Sequence, residues 1–253
     1  NEGTSAGASY EDITNSARIE QEIEQQNKDC ENAGCFNEVG AQAQEAAIAI
    51  ANVGGSSNSE ASYEDVENSA KIEQEIEQAN ECEEALCANE IGVQEQLAGI
   101  TIINEGVGGS YEDVKNSAEI EQEIEQANDC EDNVECFNEV GIQAQGGVIA
   151  IANSGVDGDD YEDVSNSAEI QQNTKQSNDC EFALCGNNVG TEGQEVEIPG
   201  AQSQLAAVAI ANIGGSYEDV DNSAEVEQTL EQTNECEDAE CENNIEAQAQ
   251  LVE

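Results

Sequence analysis

The stretch from Ser110 to Gly155 reads SYEDVKNSAEIEQEIEQANDCEDNVECFNEVGIQAQGGVIAIANSG. It holds two runs of alternation joined by a short acidic segment with Cys130 and Cys136. In the first run Asn116, Ala118, Ile120, Gln122, Ile124, Gln126 and Asn128 share one parity, and Glu fills most of the other. In the second, Gly141, Gln143, Gln145, Gly147, Ile149, Ile151 and Asn153 share one parity. A period of two puts alternate side chains on opposite faces of a β-strand. The rival is a helix, because EIEQEIEQAN is rich in good helix formers. A helix needs apolar residues at i, i+3, i+4 and i+7, and Ile149 and Ile151 would then point to different helical faces. Alternation accounts for both runs with one rule.

Working outward, nearly the same text occurs five times. The units span about 9–61, 62–109, 110–159, 160–215 and 216–253, forming a single repeat domain. The first carries Ile19, Gln21, Ile23 and Gln25, then Gln42, Gln44, Ile48 and Ile50. The second carries Ile72, Gln74, Ile76 and Gln78, then Gln94, Gln96, Ile100 and Ile102. The fourth departs most: Asn173 and Thr174 break its first run, and about ten residues with Pro199, the single proline, interrupt its second. Proline cannot donate to a ladder, so that insertion is expected to bulge out. The fifth unit stops part-way through its second run, which leaves a rung that a neighbouring copy could complete. Tyr10, Tyr63, Tyr111, Tyr161 and Tyr217 fall at one position of the unit, and are expected to pack between units. Repeats of this length indicate a stacked architecture.

The two runs also match each other. Folding the chain at the cysteine segment sets isoleucine against isoleucine and glutamine against glutamine. The result is a β-arch with an apolar end, an amide end and a cysteine-bearing bend. In-register stacking at ~4.8 Å would give ladders in which buried amides satisfy one another. The expected fold is therefore all-β: stacked β-arches, amyloid-like or solenoidal. One thin arch would be unstable alone, so stacking is required.

Composition narrows the function. The net charge is -53, aromatics are 3%, and His, Trp and Met are absent. Low hydrophobicity with high charge also marks disordered chains, but the strict placement of apolar residues argues for order. The chain opens at Asn1 without Met, which reads as a mature secreted protein whose leader has been removed. No segment is long and apolar enough to be a membrane-spanning helix. The acidity disfavours nucleic acid as a partner, and points to cations and copies of the same chain. Without His the common triads and imidazole metal sites cannot form, so no enzymatic role is expected.

Ten cysteines occur as Cys30/Cys35, Cys82/Cys87, Cys130/Cys136, Cys180/Cys185 and Cys236/Cys241. Disulfides in an oxidising compartment are the expected state, with pairing within a bend, between units or between copies all open. The CxxC spacing usual for zinc is absent. No cofactor is expected. Loosely bound divalent cations could relieve the glutamate rows, with the SYED segments and Asp157, Asp159 and Asp160 as diffuse contacts and no specific metal site.

The Asn-x-Ala-x-Ile-x-Gln run with its matching Gln run resembles the repeats of curlin, the bacterial functional-amyloid subunit. Longer units, a cysteine pair per unit and more acid resemble instead the amyloid-like, disulfide-crosslinked sheath proteins of filamentous methanogenic archaea. That resemblance covers nearly the whole chain and implies a structural subunit, a homopolymer building a tubular cell envelope or extracellular fibre. The alternative is a soluble secreted β-solenoid acting as an adhesin or cation-binding surface protein.

Overall fold

The computed structural model describes residues 2–3, 9–31, 34–54, 62–83, 86–106, 110–131, 135–154, 160–189, 202–213, 216–245 and 248–252. All are strand or short turn, with no helix among them. The Pro199 insertion, Asp157 and Asp159 lie outside the described residues, and so does the side chain of Asp160.

The strands are β1 (Glu2–Gly3), β2 (Ser9–Glu31), β3 (Cys35–Gly54), β4 (Ser62–Glu83), β5 (Cys87–Gly106), β6 (Ser110–Glu131) and β7 (Glu135–Ser154). Then come β8 (Asp160–Glu162), β9 (Ser165–Glu181), β10 (Leu184–Val189), β11 (Gln202–Ile213), β12 (Ser216–Glu218), β13 (Asp221–Glu237), β14 (Glu240–Ile245) and β15 (Gln248–Val252). The first arms of the five units, β2, β4, β6, β9 and β13, form one parallel sheet, with β8 and β12 continuing its edge rows. The second arms form the other, in which β10 and β11 both pair with β7 and carry β14 and β15 in turn. The two sheets face each other as stacked β-arches, and each bend is closed by a disulfide.

Register is repeat on repeat. Ile72 pairs with Ile120, Gln74 with Gln122 and Asn80 with Asn128; Gln96 pairs with Gln145 and Ile100 with Ile149. A slip of one residue would turn every inward side chain outward, so the alternation fixes the alignment. Unit one has an extra residue before Cys30, and a register shift between Asn27 and Cys30 absorbs it. The tyrosines also pair row on row, Tyr10 with Tyr63, Tyr63 with Tyr111 and Tyr161 with Tyr217; their rings lie outside the described atoms. The same holds for the side chains of Gln42, Gln94 and Gln143, whose backbones keep register.

Two sequence expectations change. First, the arch is not divided into an apolar end and an amide end. Ile72, Ile100 and Ile102 share one buried cluster with Ile120, Ile149 and Ile151. The second isoleucines, Ile76 and Ile124, pack instead with Val39 and Ile91 near the bend. Apolar and amide layers therefore alternate along the arch. The reason is a change of inward parity: Asn37 and Val39 face in, then Gln44, Ala46 and Ile48 do. The pairing skips Gly40 and Gly92 at that point.

Second, Asn173 and Thr174 do not break the fourth unit. Strand β9 runs through them, with Thr174 buried in the row of Ile124 and Leu230. A β-branched residue suits that pleated, enclosed site. Beyond those two changes, the SYED segment also has a backbone role. Asp12, Asp65, Asp113, Asp163 and Asp219 adopt φ of 51–55°. Aspartate tolerates this left-handed conformation better than most residues, and it kinks each first arm at one place.

Candidate assembly surfaces and the cysteine column

The amide rows are directional. From Asn15 the side chains donate upward, to Asn68, Asn116, Asn166 and Asn222, at 2.9, 2.8, 2.7 and 2.7 Å. The glutamines donate downward: Gln74 to Gln21, Gln122 to Gln74, Gln172 to Gln122 and Gln228 to Gln172, at 2.8, 2.8, 2.7 and 2.7 Å. The adjacent Gln25 and Asn27 rows likewise run in opposite directions, Gln78 donating to Gln25 at 2.9 Å and Asn27 to Asn80 at 3.0 Å, so their amide dipoles oppose. Across the arch, Asn68 donates to Asn104 and Asn80 to Asn89. Every glutamine of the expected ladder whose side chain is described lies in such a row, and Ile48, Ile50, Ile72, Ile76, Ile100 and Ile102 are buried between them. Ile19 and Ile23 of the first unit are only half-buried.

Sequence reasoning missed the row Asn37, Asn89, Asn138 and Asn187, all buried. The signal was present: Cys-x-Asn-x-Val or Cys-x-Asn-x-Ile follows the bend with period two in all five units. The glycine after it resets the parity and hid this row from a single-parity reading.

The two outer faces differ. On the first sheet Glu22, Glu75 and Glu123 stack in one row, which ends at Asn173 and Thr229. Partial burial, then Glu125 and Glu121, raises the Glu123 carboxyl above the usual range. Burial followed by Glu123 and Glu22 does the same to Glu75. Relief comes from a few cations. Lys71 Nζ reaches Glu119 at 2.8 Å, Glu73 at 2.9 Å and Glu121 at 3.4 Å, and Arg18 also pairs with Glu73. Lys175 meets Glu125 at 2.9 Å. Glu73 is consequently held below the usual range, by Lys71 first.

The second sheet turns a largely apolar surface outward. Leu97, Val148 and Leu205 stay exposed, and line a shallow groove with Ala47, Gly99 and Gly146. Leu97 lies over Gly146, where a Cβ would meet its Cδ2 at 2.8 Å.

Among the described residues, the first-unit end carries only the two-residue β1 against β3, and the fifth-unit end carries no further strand. Strands β2 and β13 each have a long strand partner on one side. In the fifth unit Asn222, Ala224 and Asn243 are exposed, while their counterparts Asn166, Ala168 and Asn187 are buried.

All five disulfides are within a bend: Cys30–Cys35, Cys82–Cys87, Cys130–Cys136, Cys180–Cys185 and Cys236–Cys241. They stack as a column in which Cys82, Cys87, Cys130, Cys136, Cys180 and Cys185 are buried. This many disulfides fits an oxidising, extracellular environment. No family model, curated protein or solved structure matches this chain.

Proposed function

We propose that this chain is a secreted structural subunit that polymerises by stacking β-arches end to end into an extracellular sheath or fibre, with no catalytic role. The supporting observation is the match between the inward rows of the first and fifth units. The first unit offers Asn15, Gln21, Gln25, Asn27 and Asn37, and the fifth offers Asn222, Gln228, Gln232, Asn234 and Asn243 in the corresponding rows. A second copy set on the fifth unit would continue each row with the same residue type and amide direction. It would also bury the exposed inward residues there. The outer face of the second sheet, largely apolar although Glu45 borders its groove, offers a lateral contact with less charge than the acidic face. The resemblance to curlin and archaeal sheath repeats supports the same reading, and diffuse cations would assist by screening the glutamate rows.

One observation favours a rival, a discrete solenoid adhesin: units two to four bury their core within a single chain. Light scattering and negative-stain microscopy separate the two. Polymerisation predicts filaments from the wild-type chain, and loss of filaments when Gln21→Lys and Gln25→Lys put charge on the first-unit end. A monodisperse monomer under all salt conditions, with EDTA or added Ca²⁺, overturns the polymer.

A further inference from the structure

The disulfide column has an exposed end and a buried interior. Cys236 and Cys241 of the fifth unit are exposed, whereas Cys180 and Cys185 below them are each 1% accessible. The Sγ atoms of Cys180, Cys185 and Cys241 lie within 4.8 Å of one another. At the other end Cys30, Cys35 and Cys82 form the same kind of trio. Backbone register carries the alignment throughout: Cys82 with Cys130, Cys130 with Cys180, and Cys180 with Cys236. The second arms do likewise, Cys87 with Cys136, Cys136 with Cys185, and Cys185 with Cys241.

We propose that this column is a thiol–disulfide exchange relay, in which one thiolate admitted at the exposed end re-pairs cysteines from within units to between units. A small external monothiol attacks Cys236 Sγ. It forms a mixed disulfide there, and the electron pair of the Cys236–Cys241 bond leaves on Cys241. The Cys241 thiolate then attacks Cys185. The Cys185–Cys241 bond forms, the Cys180–Cys185 bond breaks, and its electron pair leaves on Cys180. Each step exchanges one disulfide for another, so nothing is oxidised or reduced overall. The Cys180 thiolate now faces the third unit's disulfide, and the step can repeat downward.

Backbone geometry allows both pairings. Within bends the Cα–Cα separations are 6.3–6.8 Å, at the long side of the disulfide range. In-register neighbours on parallel strands sit about 4.8 Å apart, inside the same range. Run to the far end, re-pairing would turn five local staples into four ties along the stack axis, with the entering thiol held on Cys236 and one free thiol released in the first unit. The column lies within one chain, so this inference stands independently of polymerisation.

The test is the Cys236→Ser chain, which leaves Cys241 without its partner as a thiol at an exposed position. It is held at pH 8.5 without added thiol, quenched with N-ethylmaleimide, and its disulfides are mapped by mass spectrometry. The relay predicts loss of label from Cys241, gain of label at Cys180 or at a cysteine further down the column, and a disulfide joining Cys241 to Cys185. The rate should not change with protein concentration. Label confined to Cys241 with the other four disulfides intact overturns the relay. So does exchange whose rate rises with concentration, since that is contact between chains.

Discussion

Gln122 shows how single residues carry this fold. It is fully buried, donates to Gln74 at 2.8 Å and accepts from Gln172 at 2.7 Å. An isolated buried amide would be a liability, but in a row each supplies what its neighbour lacks. Gln122→Leu should cost about 2–3 kcal/mol in urea unfolding, because it strands an acceptor on one side and a donor on the other. Glu123 illustrates the opposite case, an outward residue that weakens the fold. Its carboxyl and that of Glu75 are held above their unfolded value, first by burial and then by neighbouring glutamates. The folded state therefore binds these protons more tightly, and stability falls as pH rises from the unfolded pKa through the raised one. Glu73, held low beside Lys71, contributes in the other sense: its stabilisation is present above the unfolded value and lost on stronger acidification. Thermal melts should thus show Tm rising as pH drops from 7 into the mildly acidic range, then falling again. Glu123→Gln should raise Tm at pH 7 and flatten that rise.

At the scale of the element, the first arm combines a long alternating run with one kink. The kink rests on Asp113 and its counterparts in the left-handed region. Asp113→Val, which puts a β-branched residue there, should destabilise the chain by about 1–2 kcal/mol in chemical denaturation. Asp113→Gly should be neutral or better. The run itself was legible in the sequence, since Ile120, Gln122, Ile124 and Gln126 alternate without interruption. The kink was not, because an aspartate in SYED reads equally as a solvated loop or a cation contact. The second arm was half legible. Alternation from Gln145 to Asn153 was plain, but the glycine that shifts parity concealed Asn138 and misplaced the partner of Ile124. Disulfide pairing also needed the fold, because register places Cys130 near both Cys136 and its neighbours in adjacent units. The apolar outer face around Leu97, Val148 and Leu205 emerges only once the inward parity is known.

Taken whole, the molecule is a stack of five imperfect arches with matching ends, one acidic face and one apolar face. Its ladders are quasi-one-dimensional, so each added unit buries what the last left exposed. The acidic face limits how tightly copies can crowd, and the disulfide column holds each bend closed. The central claim is in-register parallel stacking of β-arches, and fibre X-ray diffraction from aligned, concentrated protein tests it most directly. The account predicts a sharp reflection near 4.8 Å along the stack axis, with a diffuse one near 10 Å across it from the facing sheets. A pattern dominated by the roughly 5.4 Å helical pitch, or one with no oriented strand spacing at all, would contradict it.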